Sequence, residues 1–240
     1  MYTLVTGATS DIGRTICQTL EAAGYSLLMS DVSEEVLLEA KSTLSHPENH
    51  LILPLDLSDV EHVNEVVAAY MQEKQINVSF AVFAAGIFTV KPIKLIDYGF
   101  LKKNFDIALF SIWGIMKTLT AKKINGGSLK SIVLISSVSA KMGTKGYSVY
   151  GAVKAGMLGM MKSMAAELAP NSRINAILPG GIRTRTTKFL YENQEESNPR
   201  YLLGDGEKAD IANMVEFLLS DKSRWATGQE FVVDGGLTAN

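Results

Sequence analysis

Seven short apolar runs alternate along the chain with stretches of helical spacing, at 3–6, 26–30, 51–55, 80–83, 131–135, 173–178 and 230–233. Most are continuously apolar rather than alternating, as expected of strands covered on both faces. Between them, helical patterns occupy 12–23, 34–44, 60–73, 93–123, 147–169 and 209–219. Strand–helix alternation of this kind predicts an α/β fold, a doubly wound parallel sheet of about seven strands with helices on both faces. Right-handed crossovers put the strand C-termini along one edge, where a ligand would bind.

A length of 240 residues suits one domain over 1–240, with no repeat or low-complexity linker. The stretch 184–203 is polar, lacks a clear element and follows a strand at the ligand edge. It reads as a substrate-covering loop, or equally as a loose surface excursion. The net charge of −2 carries no basic excess, which argues against a nucleic-acid or membrane partner. Cys17 is the one cysteine, which excludes an intrachain disulfide, and it reads as a small buried hydrophobe. No basic and then apolar leader precedes the first strand, and no run is long enough to span a membrane, so a cytoplasmic location is expected. His46, His50 and His62 lack metal-ligand spacing, and no metal is expected.

The first strand runs into Thr6-Gly7-Ala8-Thr9-Ser10-Asp11-Ile12-Gly13, and a helix follows. A glycine turn there lets the backbone approach a pyrophosphate, which then faces free N–H groups at the helix start. Later in the chain Tyr150 and Lys154 lie four apart on one helical face, and Ser137 precedes Tyr150 by thirteen residues, after a strong strand.

The turn and the Ser-Tyr-Lys set together resemble the short-chain dehydrogenase/reductase family, including its 3-oxoacyl reductases, from Thr3 to about Gly236. The turn is similar to the family's T-G-x-x-x-G-x-G, with Asp11 in place of the middle glycine. Directed inward, that carboxylate would repel the pyrophosphate; as a helix cap, the preferred reading, it would point away. By the resemblance Gly7, Ser10, Asp11, Ile12 and Gly13 surround the pyrophosphate. Asp31, 18 residues beyond Gly13, would accept from the adenosine ribose and repel the 2′-phosphate of NADP. NAD is therefore expected over NADP, with Arg14 the one nearby basic counter-argument. Otherwise Asp31 starts a turn and Ser33 caps the next helix. Asp56 and Leu57 match the family's adenine contact, although Asp56 could equally precede a helix as a cap. Phe83-Ala84-Ala85-Gly86 occupies the place of N-N-A-G and keeps Ala85 and Gly86.

The resemblance also implies roles in catalysis. Ser137 holds the carbonyl oxygen, Tyr150 transfers the proton, and Lys154 lowers the Tyr150 pKa and binds the nicotinamide ribose. Pro179-Gly180-Gly181-Ile182-Arg183-Thr184 resembles P-G-x-x-x-T, so Pro179, Gly180, the backbone of Ile182 and Thr184 would meet the nicotinamide. Ala108 stands where the family carries an asparagine, and Asn104, one turn earlier, is the alternative. Arg183, Arg185 and Lys188 would meet an acidic substrate or form a solvated face. Met157, Met160, Met161 and Met164 read as core or subunit packing.

The expected activity is hydride transfer between a secondary alcohol or ketone and a nicotinamide cofactor, in a homo-oligomer (tetramer or dimer). The alternatives are an NADP-dependent ketoacyl-type reductase, or a weak or non-enzymatic dinucleotide-binding member, which the departures at Asp11, Phe83-Ala84 and Ala108 favour.

Overall fold

A computed structural model describes residues 1–188 and 199–239. One seven-stranded, wholly parallel sheet runs through it, formed by β1 (Tyr2–Thr6), β2 (Ser26–Asp31), β3 (Leu51–Pro54), β4 (Val78–Phe83), β5 (Ser131–Ile135), β6 (Arg173–Pro179) and β7 (Glu230–Val233). The order β3-β2-β1-β4-β5-β6-β7 reverses direction between β1 and β4. At such a point the connections leave on opposite faces and open a crevice beyond the strand ends.

Successive side chains on each strand enter different cores. Leu4 and Leu28 meet α3 (Val63–Glu73), α5 (Ser111–Thr120) and α7 (Ser148–Leu168) on one face. Val5, Leu27 and Met29 meet α1 (Asp11–Ala22), α2 (Glu34–Ser42) and α8 (Lys208–Leu219) on the other. Both faces being covered explains the continuous apolar runs. Met157, Met160, Met161 and Met164 are buried in the first core. Cys17 is buried in the second, where burial pushes its thiol up to about 12 and leaves it protonated.

The helix expected over 93–123 is broken. A 3-10 turn (Ile93–Leu95) precedes α4 (Tyr98–Phe105), which starts where the Asp97 carboxylate accepts from Phe100 N–H at 2.8 Å. A π turn (Asp106–Phe110) joins α4 to α5, and α6 (Lys122–Asn125) follows where Ala121 takes an extended conformation. Among the described residues no helix is long and apolar enough to cross a membrane. Of the stretch 184–203, residues 189–198 lie outside the described residues.

Candidate active site

Gly7 has φ +67°, and a Cβ there would stand 2.8 Å from the Ala85 backbone. At Gly13 a Cβ would stand 2.0 Å from the Gly7 carbonyl oxygen. Only glycine lets the turn after β1 press against the end of β4 with α1 starting beneath it. The cap of α1 is Ser10 rather than Asp11. Ser10 Oγ accepts from Gly13 N–H at 3.0 Å, while Ser10 keeps an extended backbone and Asp11 is already helical. The Asp11 carboxylate accepts instead from the backbone N–H of Arg185, and from its Nε at 2.7 Å. Burial pushes the Asp11 carboxyl up, but the hydrogen bonds and charge of Arg185 outweigh it and hold it below the usual range.

Asp31 ends β2 and accepts from Thr9 Oγ1 at 2.6 Å, Thr9 N–H at 3.2 Å and Val32 N–H at 2.8 Å. It thus ties β2 to the glycine turn, and Ser33 caps α2 by accepting from Val36 N–H. Arg14 donates to the Thr9 carbonyl at 3.1 Å and to Glu39 at 3.2 Å. Asp56 follows β3, and hydrogen bonds from the Ser58 hydroxyl and N–H lower its carboxyl; Leu57 beside it is buried. After β4, Ala85 N–H reaches Thr6 Oγ1 at 3.4 Å. A Cβ at Gly86 would stand 3.4 Å from Lys154 Nζ and 3.7 Å from the Ala108 methyl.

Beyond β5, Ser136 Oγ donates to the Lys154 carbonyl at 2.9 Å and ties α7 to the sheet. Ser137 lines the cleft with Tyr150, and its Oγ accepts from Ser139 N–H at 3.1 Å. Lys154 is buried and donates from Nζ to the Ile135 carbonyl at 2.7 Å; burial pulls its pKa down to about 8. The expectation that Lys154 depresses Tyr150 is corrected. Burial pushes the Tyr150 phenol up, the Ser137 hydroxyl opposes this, and Tyr147 adds to the rise. The ammonium is turned to the Ile135 carbonyl and lies 5.7 Å from the Tyr150 ring centre.

A cleft of about 410 Å³ joins the two ends. Ser10, Asp11, Ile12 and Gly86 line it on one side, and Ser137, Tyr150 and Lys154 on another. Pro179, Gly180, Ile182 and Thr184 line a third. Gly7, Gly13 and Ala85 do not line it, and Asp31, Asp56 and Leu57 lie along the same sheet edge outside it. Gly180 is another close approach, since a Cβ would stand 2.8 Å from Asp234 Cα. Asp234 itself accepts from the Gly236 and Thr238 N–H groups. Thr184 N–H donates to Thr187 Oγ1 at 2.9 Å, and Ile182 bridges to Gly206. The turn after β1 thus has the backbone compression and exposed helix start that a dinucleotide pyrophosphate requires.

Ala108 and Lys154 both face Gly86, whereas Asn104 does not. Asn104 is buried and donates to the Phe100 carbonyl of its own helix at 2.8 Å. Among the cleft residues that no sequence signal singled out are Phe88 and Tyr201. Phe88 stands edge-on to Tyr150 and Tyr147, at 5.2 and 5.4 Å between ring centres. Tyr201 accepts at its hydroxyl from Gly181 N–H at 3.0 Å. Nothing periodic marks either; Tyr147, three before Tyr150, is the one signal in the sequence. Arg183, expected as an anion contact or a solvated residue, pairs with Asp205 at 2.7 Å.

A parallel sheet whose switch-point crevice combines a glycine cradle with buried proton-transfer groups is the architecture of a nicotinamide-dependent oxidoreductase. A family model described as enoyl-(acyl carrier protein) reductase matches residues 7–238. The 3-oxoacyl-[acyl-carrier-protein] reductase of Thermotoga maritima is 32% identical, over 98% of this chain and 96% of its own. Trans-4-hydroxycyclohexanecarboxylate dehydrogenase of Sinomonas cyclohexanicum is 30% identical, over 98% of this chain and 92% of its own. The solved structure of 4-hydroxyisoleucine dehydrogenase complexed with NADH superposes with a TM-score of 0.89 at 26% identity, covering 100% of both chains. The chain belongs to the short-chain dehydrogenase/reductase family and is an NAD(P)-dependent oxidoreductase.

Proposed function

We propose that this chain interconverts a secondary alcohol and a ketone with NAD(H), using Tyr150 as the proton-transfer group. The observation that carries the reading is the convergence of Ser137, Tyr150 and Lys154 on one wall of the cleft that the glycine turn closes at its other end. The nicotinamide, when bound, accepts or supplies the hydride. In reduction Tyr150, held as the neutral phenol by burial, gives its proton to the carbonyl oxygen as the carbon is reduced; oxidation reverses this step and draws on the phenolate form of Tyr150. Ser137, which lines the cleft with Tyr150, holds the same oxygen within reach. Lys154 supplies a buried ammonium for the ribose. Gly180, Ile182 and Thr184 orient the carboxamide end.

Asp31 supports NAD over NADP, because a carboxylate at the end of β2 repels a 2′-phosphate. Arg14, the group that would favour NADP, is engaged by Thr9 and Glu39. Phe88 and Tyr147 flank Tyr150 and suit a compact apolar substrate. Phe110 and Trp113, 45% and 48% exposed around the start of α5, suit burial in a cytoplasmic homo-oligomer.

Turnover should be followed on cyclic secondary alcohols with NAD and on short 3-oxoacyl thioesters with NADH. Tyr150→Phe should keep dinucleotide binding and lower turnover at least ~100-fold. A variant that retains near-normal turnover would remove Tyr150 from the chemistry.

A further inference from the structure

Arg185 reaches across the cleft to the glycine turn with three donors. Its backbone N–H and its Nε meet the two Asp11 carboxylate oxygens, and its Nη2 donates to the Thr9 carbonyl at 3.4 Å. The two partners are 174 residues apart. The Arg185 side chain is 72% exposed, so the pair adds little to stability, but that of Asp11 is only 15% exposed. Asp11 lines the cleft at the first residue of α1, where a bound dinucleotide would bring its pyrophosphate. Two like charges sharing a partly buried site repel each other strongly. In this chain the carboxylate meets a guanidinium instead.

We propose that Arg185 is a positioning residue for the dinucleotide: by pairing with Asp11 it neutralises a carboxylate at the pyrophosphate end of the cleft and fastens the segment after β6 to the glycine turn. This rests on the reading of the cleft as a dinucleotide site. Arg185 then acts through Asp11 rather than as an independent phosphate ligand. Its loss leaves an unpaired anion facing the pyrophosphate, whereas loss of both partners leaves neither charge.

The test is a fluorescence titration, with NADH and separately with NADPH, of the full chain and of Arg185→Ala, Asp11→Gly and the double variant. Thermal melts run alongside. Arg185→Ala should melt with the parent yet bind NADH at least about tenfold more weakly. The double variant should return to within about threefold of the parent. The Arg185→Ala deficit should also shrink as salt rises, because salt screens the unpaired charge. Unchanged binding by Arg185→Ala would overturn the proposal. Equal weakness of the single and double variants would do so too, since Arg185 would then bind the cofactor directly. A parent chain that bound neither NADH nor NADPH would overturn the dinucleotide reading, and the clasp with it. A parent that binds alongside an indifferent Arg185→Ala would remove the clasp alone.

Discussion

Lys154 Nζ lies 5.7 Å from the centre of the Tyr150 ring while donating its hydrogen bond to the Ile135 carbonyl at 2.7 Å. One helical turn on α7 brings the two side chains onto the same face, and β5 supplies the acceptor that fixes the ammonium. The arrangement leaves an ammonium in a buried place.

Lys154 should leave a pH signature on stability. Burial lowers its pKa to about 8 from 10.5. Between those values the unfolded chain holds the proton and the folded chain does not, so this group makes stability rise with pH from about 8 to about 10.5. Below pH 8 both states are charged and the slope vanishes. The gap corresponds to something on the order of 3 kcal/mol. Urea unfolding of the dinucleotide-free parent and of Lys154→Met at pH 7 and pH 10 measures it. The parent should gain on the variant by roughly that amount, and parallel curves would mean that the ammonium is not desolvated.

Asn104→Ala should alter turnover by less than about threefold, far below the loss expected of a group that moves protons. The amide is committed to the Phe100 carbonyl at 2.8 Å, and it is Ala108, not Asn104, that faces Gly86 together with Lys154. Steady-state rates over pH 6–9 decide this. A large, pH-dependent loss would restore Asn104 as part of a proton relay.

Asp31→Ala should narrow the ratio of NADPH to NADH dissociation constants by at least about tenfold, through lost ribose acceptors and lost repulsion. Because Asp31 also holds Thr9, both affinities should fall together to some degree. The ratio isolates the ribose effect. An unchanged ratio would mean that Asp31 serves only the turn.

Much of the fold and site is legible along the chain because it depends on near neighbours. A strand buried on both faces must be continuously apolar, so all seven runs are strands of the sheet. A helix places residues four apart together, so spacing alone pairs Tyr150 with Lys154. The glycine turn is readable for the same reason: between a first strand and a first helix, only a residue without Cβ accepts φ near +67° against the Ala85 backbone.

Tertiary structure decided what depends on meetings between distant segments. The break in the 93–123 helix reflects the Asp97 cap and a π turn that no apolar period records. Ser10 caps α1 through a local bond, and the Asp11 carboxylate is taken by Arg185, 174 residues away. Phe88 and Tyr201 entered the cleft from loops without any spacing signal. The direction of the Tyr150 shift is the plainest case. A lysine one turn away argued for a lower pKa, but the burial imposed by surrounding elements raised it, because desolvation is set by everything packed around a group and not by its neighbours in sequence.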